Sequence, residues 1–86
     1  MNIAYSSRFR KIYNKLPKKI QNKFDEKVPI FESDEFDLSL NNHKLHGEYE
    51  GYRSINVTGN IRALYKKTSD EDYYFHAIGT HSELYS

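Results

Sequence analysis

The chain has 86 residues, of which 37% are apolar, 29% charged and 15% aromatic, with a formal net charge of +1 and no cysteine. These figures describe a single domain, residues 1–86, too aromatic for a disordered chain and too polar for a membrane protein, and they exclude disulfides and thiolate metal sites. The charge is uneven: residues 1–30 hold eight Lys/Arg against two acids, residues 31–50 one Lys against six acids, and residues 51–86 four of each, so the first third either attracts a polyanion or forms a solvated helix face.

Met1-Asn2-Ile3-Ala4-Tyr5 lacks the basic segment and apolar core of a signal peptide, and no apolar run approaches the roughly 20 residues of a membrane span, so a cytoplasmic address is expected. Ile3-Ala4-Tyr5 reads as a short strand, and Ser6 or Ser7 can cap a helix. Phe9, Ile12, Tyr13 and Leu16 follow helical spacing, and Pro17 ends that helix while suiting the first turn of the next. Ile20, Phe24, Val28 and Phe31 form one apolar stripe with Lys18, Lys19, Lys23 and Lys27 off it; Pro29 is expected to kink or end this second helix.

Residues 32–50 are acidic and read as irregular, with Asn41-Asn42 as a turn and Phe36, Leu38 and Leu40 pinning the connection onto the core. From Gly51 the period changes to two: Tyr52–Val57, Ile61–Lys67 and Asp72–Ile78 read as strands, joined by turns at Thr58-Gly59-Asn60 and Ser69-Asp70-Glu71, with His81 to Ser86 as a short tail. The expected fold is α+β, with two N-terminal helices packed on one face of a four-stranded antiparallel sheet, the other face being partly open and available for a site. Its core draws on 8 Tyr and 5 Phe.

His43-x-x-His46 and the pair His76 and His81 are spaced as metal ligands can be, but no cysteine or organised acid accompanies them, and neither a metal nor another cofactor is expected. His46 and His76 read as surface residues. The four glycines stand singly, so there is no phosphate-cradling loop. His43, Arg53, Arg62, His81 and Tyr85 suit metal-free cleavage of RNA. Histidines take and return protons near neutrality, an arginine fork stabilises a phosphorane, and a tyrosine stacks on a base. Each taken alone also reads as ordinary surface: Arg53 and Arg62 could pair with the acidic segment, and Tyr85 could simply pin the tail.

His43-Lys44-Leu45-His46-Gly47, Gly51-Tyr52-Arg53-Ser54, Gly59-Asn60-Ile61-Arg62-Ala63-Leu64-Tyr65 and Ile78-Gly79-Thr80-His81-Ser82-Glu83-Leu84-Tyr85 follow in order, behind Phe9-Arg10-Lys11 and Leu16-Pro17. Over nearly the whole chain this resembles the RelE/ParE superfamily of bacterial type II toxins, nearest its YafQ-like branch. The resemblance implies a RelE-like fold and a toxin that cleaves messenger RNA on the ribosome, with a cognate antitoxin as partner. It assigns His81 as general acid, His43 as general base or backbone-positioning group, Arg62 helped by Arg53 as phosphorane stabiliser, and Tyr85 as the group that stacks on or orients the target nucleotide. Asn56 stands where the branch has a further histidine, and Asn60-Ile61 where it has an acid–tryptophan pair; Arg53, Asn56 and Asn60 are the expected substrate-binding residues. The alternatives are a ParE-like DNA gyrase poison, which would need no catalytic histidine, and a toxin reduced to binding its antitoxin.

Overall fold

A computed structural model describes residues 1–85; Ser86, the end of the expected tail, lies outside the described residues. Strand β1 (Asn2–Tyr5) leads into helices α1 (Ser7–Lys15) and α2 (Lys18–Ser33). Two 3₁₀ turns, Leu38–Leu40 and Gly47–Tyr49, flank strand β2 (His43–Lys44). Strands β3 (Arg53–Asn56), β4 (Ile61–Lys67) and β5 (Asp72–Thr80) follow, and helix α3 (His81–Tyr85) is the last described element.

The sheet has five strands in the order β1-β5-β4-β3-β2, and it is mixed, correcting the expected four antiparallel strands. The meander β3-β4-β5 is antiparallel because tight turns join its strands. No hairpin constrains β1, which reaches the sheet edge before the helical pair and runs parallel to β5. The fifth strand, β2, is a two-residue pairing of His43 and Lys44 with Ser54 and Arg53, too short to leave a periodic signature in sequence.

Ser6 caps α1: its Oγ accepts from the Phe9 amide at 2.9 Å and donates to the His76 carbonyl at 2.7 Å, so the same hydroxyl ties the helix start to β5. The Gln21 side chain donates to the Tyr13 carbonyl at 2.8 Å, and the Tyr13 hydroxyl donates to Asp25 at 2.7 Å, fastening α1 to α2. That bond to Asp25, aided by burial, pushes the Tyr13 hydroxyl pKa up to about 12. The apolar stripe of α2 faces the sheet as its spacing predicts, but Pro29 does not end the helix. Phe31, two residues beyond it, is wholly buried edge-on against Tyr65 and Tyr73, with ring centroids at 4.8 and 5.5 Å. Burial of that ring outweighs the backbone bond that proline removes.

The core on the helix side is aromatic: Tyr5, Phe9, Phe24, Phe31, Tyr65, Tyr73 and Phe75 make a continuous set of tilted and edge-on contacts. A bulge in β5 serves this core. Tyr65 pairs with Phe75 while Leu64 pairs with Ala77, so His76 is an extra residue, and Phe75 and Ile78 both face the helices. His76 is half-buried rather than a plain surface residue, packed on the rings of Tyr49 and Tyr52. That burial, with Arg8 and Lys66 nearby, lowers its pKa.

The acidic connection is pinned by polar bonds more than by apolar contacts. Of its three expected anchors only Leu40 is buried; Phe36 is 57% and Leu38 96% exposed. The Tyr65 and Tyr73 hydroxyls instead donate to the Glu35 carboxylate at 2.6 and 3.0 Å. Phe31→Ala should therefore destabilise the fold by about 3–5 kcal/mol, and Leu38→Ala by less than about 0.5 kcal/mol. Urea unfolding midpoints of the two variants against the parent check this.

Candidate active site

Side chains on the sheet face away from α1 and α2 form rows across the strands. His43, Ser54, Leu64 and Ala77 are successive cross-strand partners from β2 to β5, and Asn56, Arg62 and Gly79 make the next row. Leu45, Leu64, Ala77 and Leu84 form a small second core here, joined by Tyr49, Tyr52 and Tyr85. The expected open face is thus partly covered by α3. Beside that cluster lies a cleft of about 240 Å³ lined by His43, Lys44, Leu45, His46, Ser54, Arg62, His81 and Tyr85.

His43 is exposed on the edge strand, and its Nδ1 lies 3.0 Å from the Asn41 carbonyl. A carbonyl only accepts, so Nδ1 carries the proton and the neutral ring keeps its lone pair on Nε2. Asn41 holds a left-handed conformation, φ 47°, that turns the chain from the 3₁₀ segment into β2. Arg62 projects from β4. Its Nη1 donates to the Thr58 and Gly59 carbonyls at 3.1 and 3.0 Å, so the β3–β4 hairpin clamps one nitrogen of the guanidinium and leaves the others to the cleft among the described residues.

The tail expected at His81 is a helix, and the cause is a capping box. The Glu83 amide donates to Thr80 Oγ1 at 3.2 Å, while the Thr80 amide donates to Glu83 Oε1 at 2.8 Å. Gly79 leaves room for this reversal, since a Cβ there would stand 3.0 Å from Glu83 Oε1. The Tyr49 hydroxyl donates to the Leu84 carbonyl at 3.1 Å and holds the other end. One helical turn then stacks His81 against Tyr85, with ring centroids at 4.6 Å. Partial burial raises the Tyr85 hydroxyl pKa; the neighbouring Ser54 hydroxyl and Arg62 cation pull weakly the other way, so the phenol stays neutral. Ser54 Oγ and Asn56 Oδ1 are buried and make no hydrogen bond of ordinary geometry among the described residues, Tyr85 included.

Four of the expected residues, His43, Arg62, His81 and Tyr85, therefore share one cleft. Three do not line it. Asn56 lies in the row beyond Ser54, and Asn60 sits exposed at the hairpin tip, its amide bonded to Thr58 Oγ1. Arg53 pairs with Tyr65 on the helix side of the sheet, its Nε donating to Asn42 Oδ1 at 2.6 Å and its guanidinium 5.0 Å over the Phe36 ring. Among the described residues, neither arginine forms an ion pair with the acidic segment. Lys44 and Ser54 are cleft residues that motif reasoning passed over, although strand alternation from Tyr52 puts Ser54 on the Asn56 face. His46, expected on the surface, is exposed at the cleft edge, 3.6 Å from Glu50.

Hydrogen bonds to Thr80 hold the Glu83 carboxyl below its ordinary pKa. A depressed folded-state value adds stability that is present above the unfolded value and lost as pH falls through the folded one. The His81–Tyr85 ring contact, read as proton–proton NOEs, should accordingly weaken as the pH falls through that depressed value. Glu83→Gln, neutral at every pH and still accepting from Thr80 as the protonated carboxyl does, should show the weakened contact without pH dependence, and Glu83→Ala should lose it at every pH.

The family model of YafQ, a bacterial toxin of type II toxin–antitoxin systems, matches residues 1–86. No curated protein sequence matches significantly. Among solved structures the chain is similar to YafQ from E. coli, with TM-score 0.81 and 26% identity over 99% of this chain and 98% of that one. It is also similar to the E. coli DinJ–YafQ toxin–antitoxin complex, with TM-score 0.77 and 27% identity over 99% and 97%. A YoeB/ParE toxin from Agrobacterium tumefaciens shares the fold at 16% identity, with TM-score 0.79 over 94% and 99%. The chain belongs to the YafQ family of toxins of bacterial type II toxin–antitoxin systems.

Proposed function

We propose that this toxin is a ribosome-dependent endoribonuclease that cleaves messenger RNA, arrests translation and growth, and is held in check by a cognate antitoxin. The observation that carries the reading is the meeting of His43, Arg62, His81 and Tyr85, from β2, β4 and α3, around one cleft. The chemistry is transesterification. His43 Nε2 takes the proton of a ribose 2′-hydroxyl, and the oxygen attacks the adjacent phosphorus. The P–O5′ bond breaks as protonated His81 gives its proton to the departing O5′, leaving a 2′,3′-cyclic phosphate and a free 5′-hydroxyl. Arg62 neutralises the charge that builds on the non-bridging oxygens, and Tyr85 stacks on the flanking base.

The ring tautomer of His43 favours the base role, because Nδ1 is committed to Asn41 and Nε2 is left for the hydroxyl. The reaction uses side chains alone, with no metal or other cofactor in any step. Lys44 at the cleft and the basic residues of α1 and α2 suit a polyanionic partner. The antitoxin would lay a helix or strand across the toxin and cover or distort the cleft. No helix among the described residues is long and apolar enough to cross a membrane, and the site of action we propose is the cytoplasm, with no membrane partner.

Cell-free translation followed by primer extension on the message tests the reading. The parent protein should create new message ends. His81→Ala and His43→Ala should each slow cutting by about 10²–10⁴, and Arg62→Ala by about 10²–10³. Uncut message with the parent protein, or equal cutting by His81→Ala, overturns the assignment.

A further inference from the structure

The Asn42 side chain makes three hydrogen bonds, all to groups outside the cleft. Its Nδ2 donates to the Glu35 carbonyl at 2.8 Å and to the Tyr65 hydroxyl at 2.7 Å, while its Oδ1 accepts from Arg53 Nε at 2.6 Å. One amide thereby joins the acidic connection, β3 and β4 on the helix side of the sheet. The Tyr65 hydroxyl completes the link by donating to Glu35 Oε2. Burial and that bond hold Tyr65 protonated, so it remains a donor.

Asn42 lies between Asn41, whose left-handed backbone supplies the carbonyl that binds His43 Nδ1, and His43 itself. Immobilising residue 42 therefore settles both ends of the contact that selects the His43 tautomer. β2 is only two residues long and sits at a sheet edge, so its ladder alone gives that ring little restraint. We infer that Asn42, gripped by Arg53 and Tyr65, is the positioning residue for His43, and that Arg53 acts through this grip and not on the substrate. The catalytic consequence rests on the function proposed above; the geometric one does not.

Tyr65 and Tyr73 provide a matched pair of tests. Both hydroxyls bond Glu35, through different carboxylate oxygens, but only that of Tyr65 touches Asn42. Histidine-ring nitrogen NMR of the full chain should show His43 in the Nδ1–H form in the parent and in Tyr73→Phe. In Tyr65→Phe and Asn42→Ala the ring should drift toward a mixture of tautomers. In the cleavage assay Tyr65→Phe should lower kcat about tenfold at unchanged KM, the signature of a displaced catalytic group. Arg53→Lys, which keeps a donor for Asn42, should lose less than Arg53→Ala. An unaltered His43 spectrum in Tyr65→Phe, an equal change in Tyr73→Phe, or an Arg53→Lys defect confined to KM would overturn the inference. A protein that cleaves no message yet shows the tautomer change in Tyr65→Phe alone would sustain the inference and defeat the proposed activity.

Discussion

The Tyr65 hydroxyl, donating to Glu35 and accepting from Asn42, is the contact on which the working face depends. Residues 34–42 have no strand ladder and no helix longer than a single 3₁₀ turn, and two of their three large apolar side chains point to water. Few apolar contacts hold them in place, so side-chain hydrogen bonds do it. Such bonds contribute about 0.5–1.5 kcal/mol each, and about 1.5–3 when one partner is charged, as Glu35 is. Together they exceed what one buried leucine supplies. The segment they secure ends at His43.

The two faces of the sheet divide the labour. One carries a thick aromatic core and two helices, which make β3, β4 and β5 rigid. The other carries a small cluster around Leu64, Ala77 and Leu84, enough to seat α3 while leaving His43 and His81 exposed. Polar side chains on such a platform keep their spacing because the strands beneath them cannot move. The clamp on Arg62 by its own hairpin and the cap on α3 are local devices of the same kind, each needing only residues near in sequence.

What was legible in the residues follows from that distinction between local and distant causes. The Ser6 cap, the α2 stripe and the β3-β4-β5 meander all arise from short-range patterns, and each stands where the pattern puts it. The Thr80-x-x-Glu83 box was equally readable, yet a five-residue helix is easily taken for a tail. The direction of β1 and the survival of α2 past Pro29 depend on partners dozens of residues away, and the pairing of β2 depends on a strand beyond an irregular turn. Arg53 illustrates the limit for the site. It is one residue from Ser54 and looks like a phosphate ligand, but strand parity turns it to the helix side. Whether a residue faces the cleft is decided by pairing register, and motif order does not reveal register.

The bulge at His76 shows how much rides on register. Up to Phe75 the odd-numbered side chains of β5 point into the aromatic core, and from Ala77 onward the even-numbered ones do. Removing the extra residue, or adding a second one beside it, would exchange inside for outside along the rest of the strand. Ile78 would be turned from the aromatic core onto the face where Leu64 and Leu84 leave room only for Ala77, and the approach to Thr80 would reverse. Evolution at this point is therefore freer to change the identity of an amino acid than to change the spacing, and relatives with the same architecture are expected to carry many different side chains at this place but very few gaps.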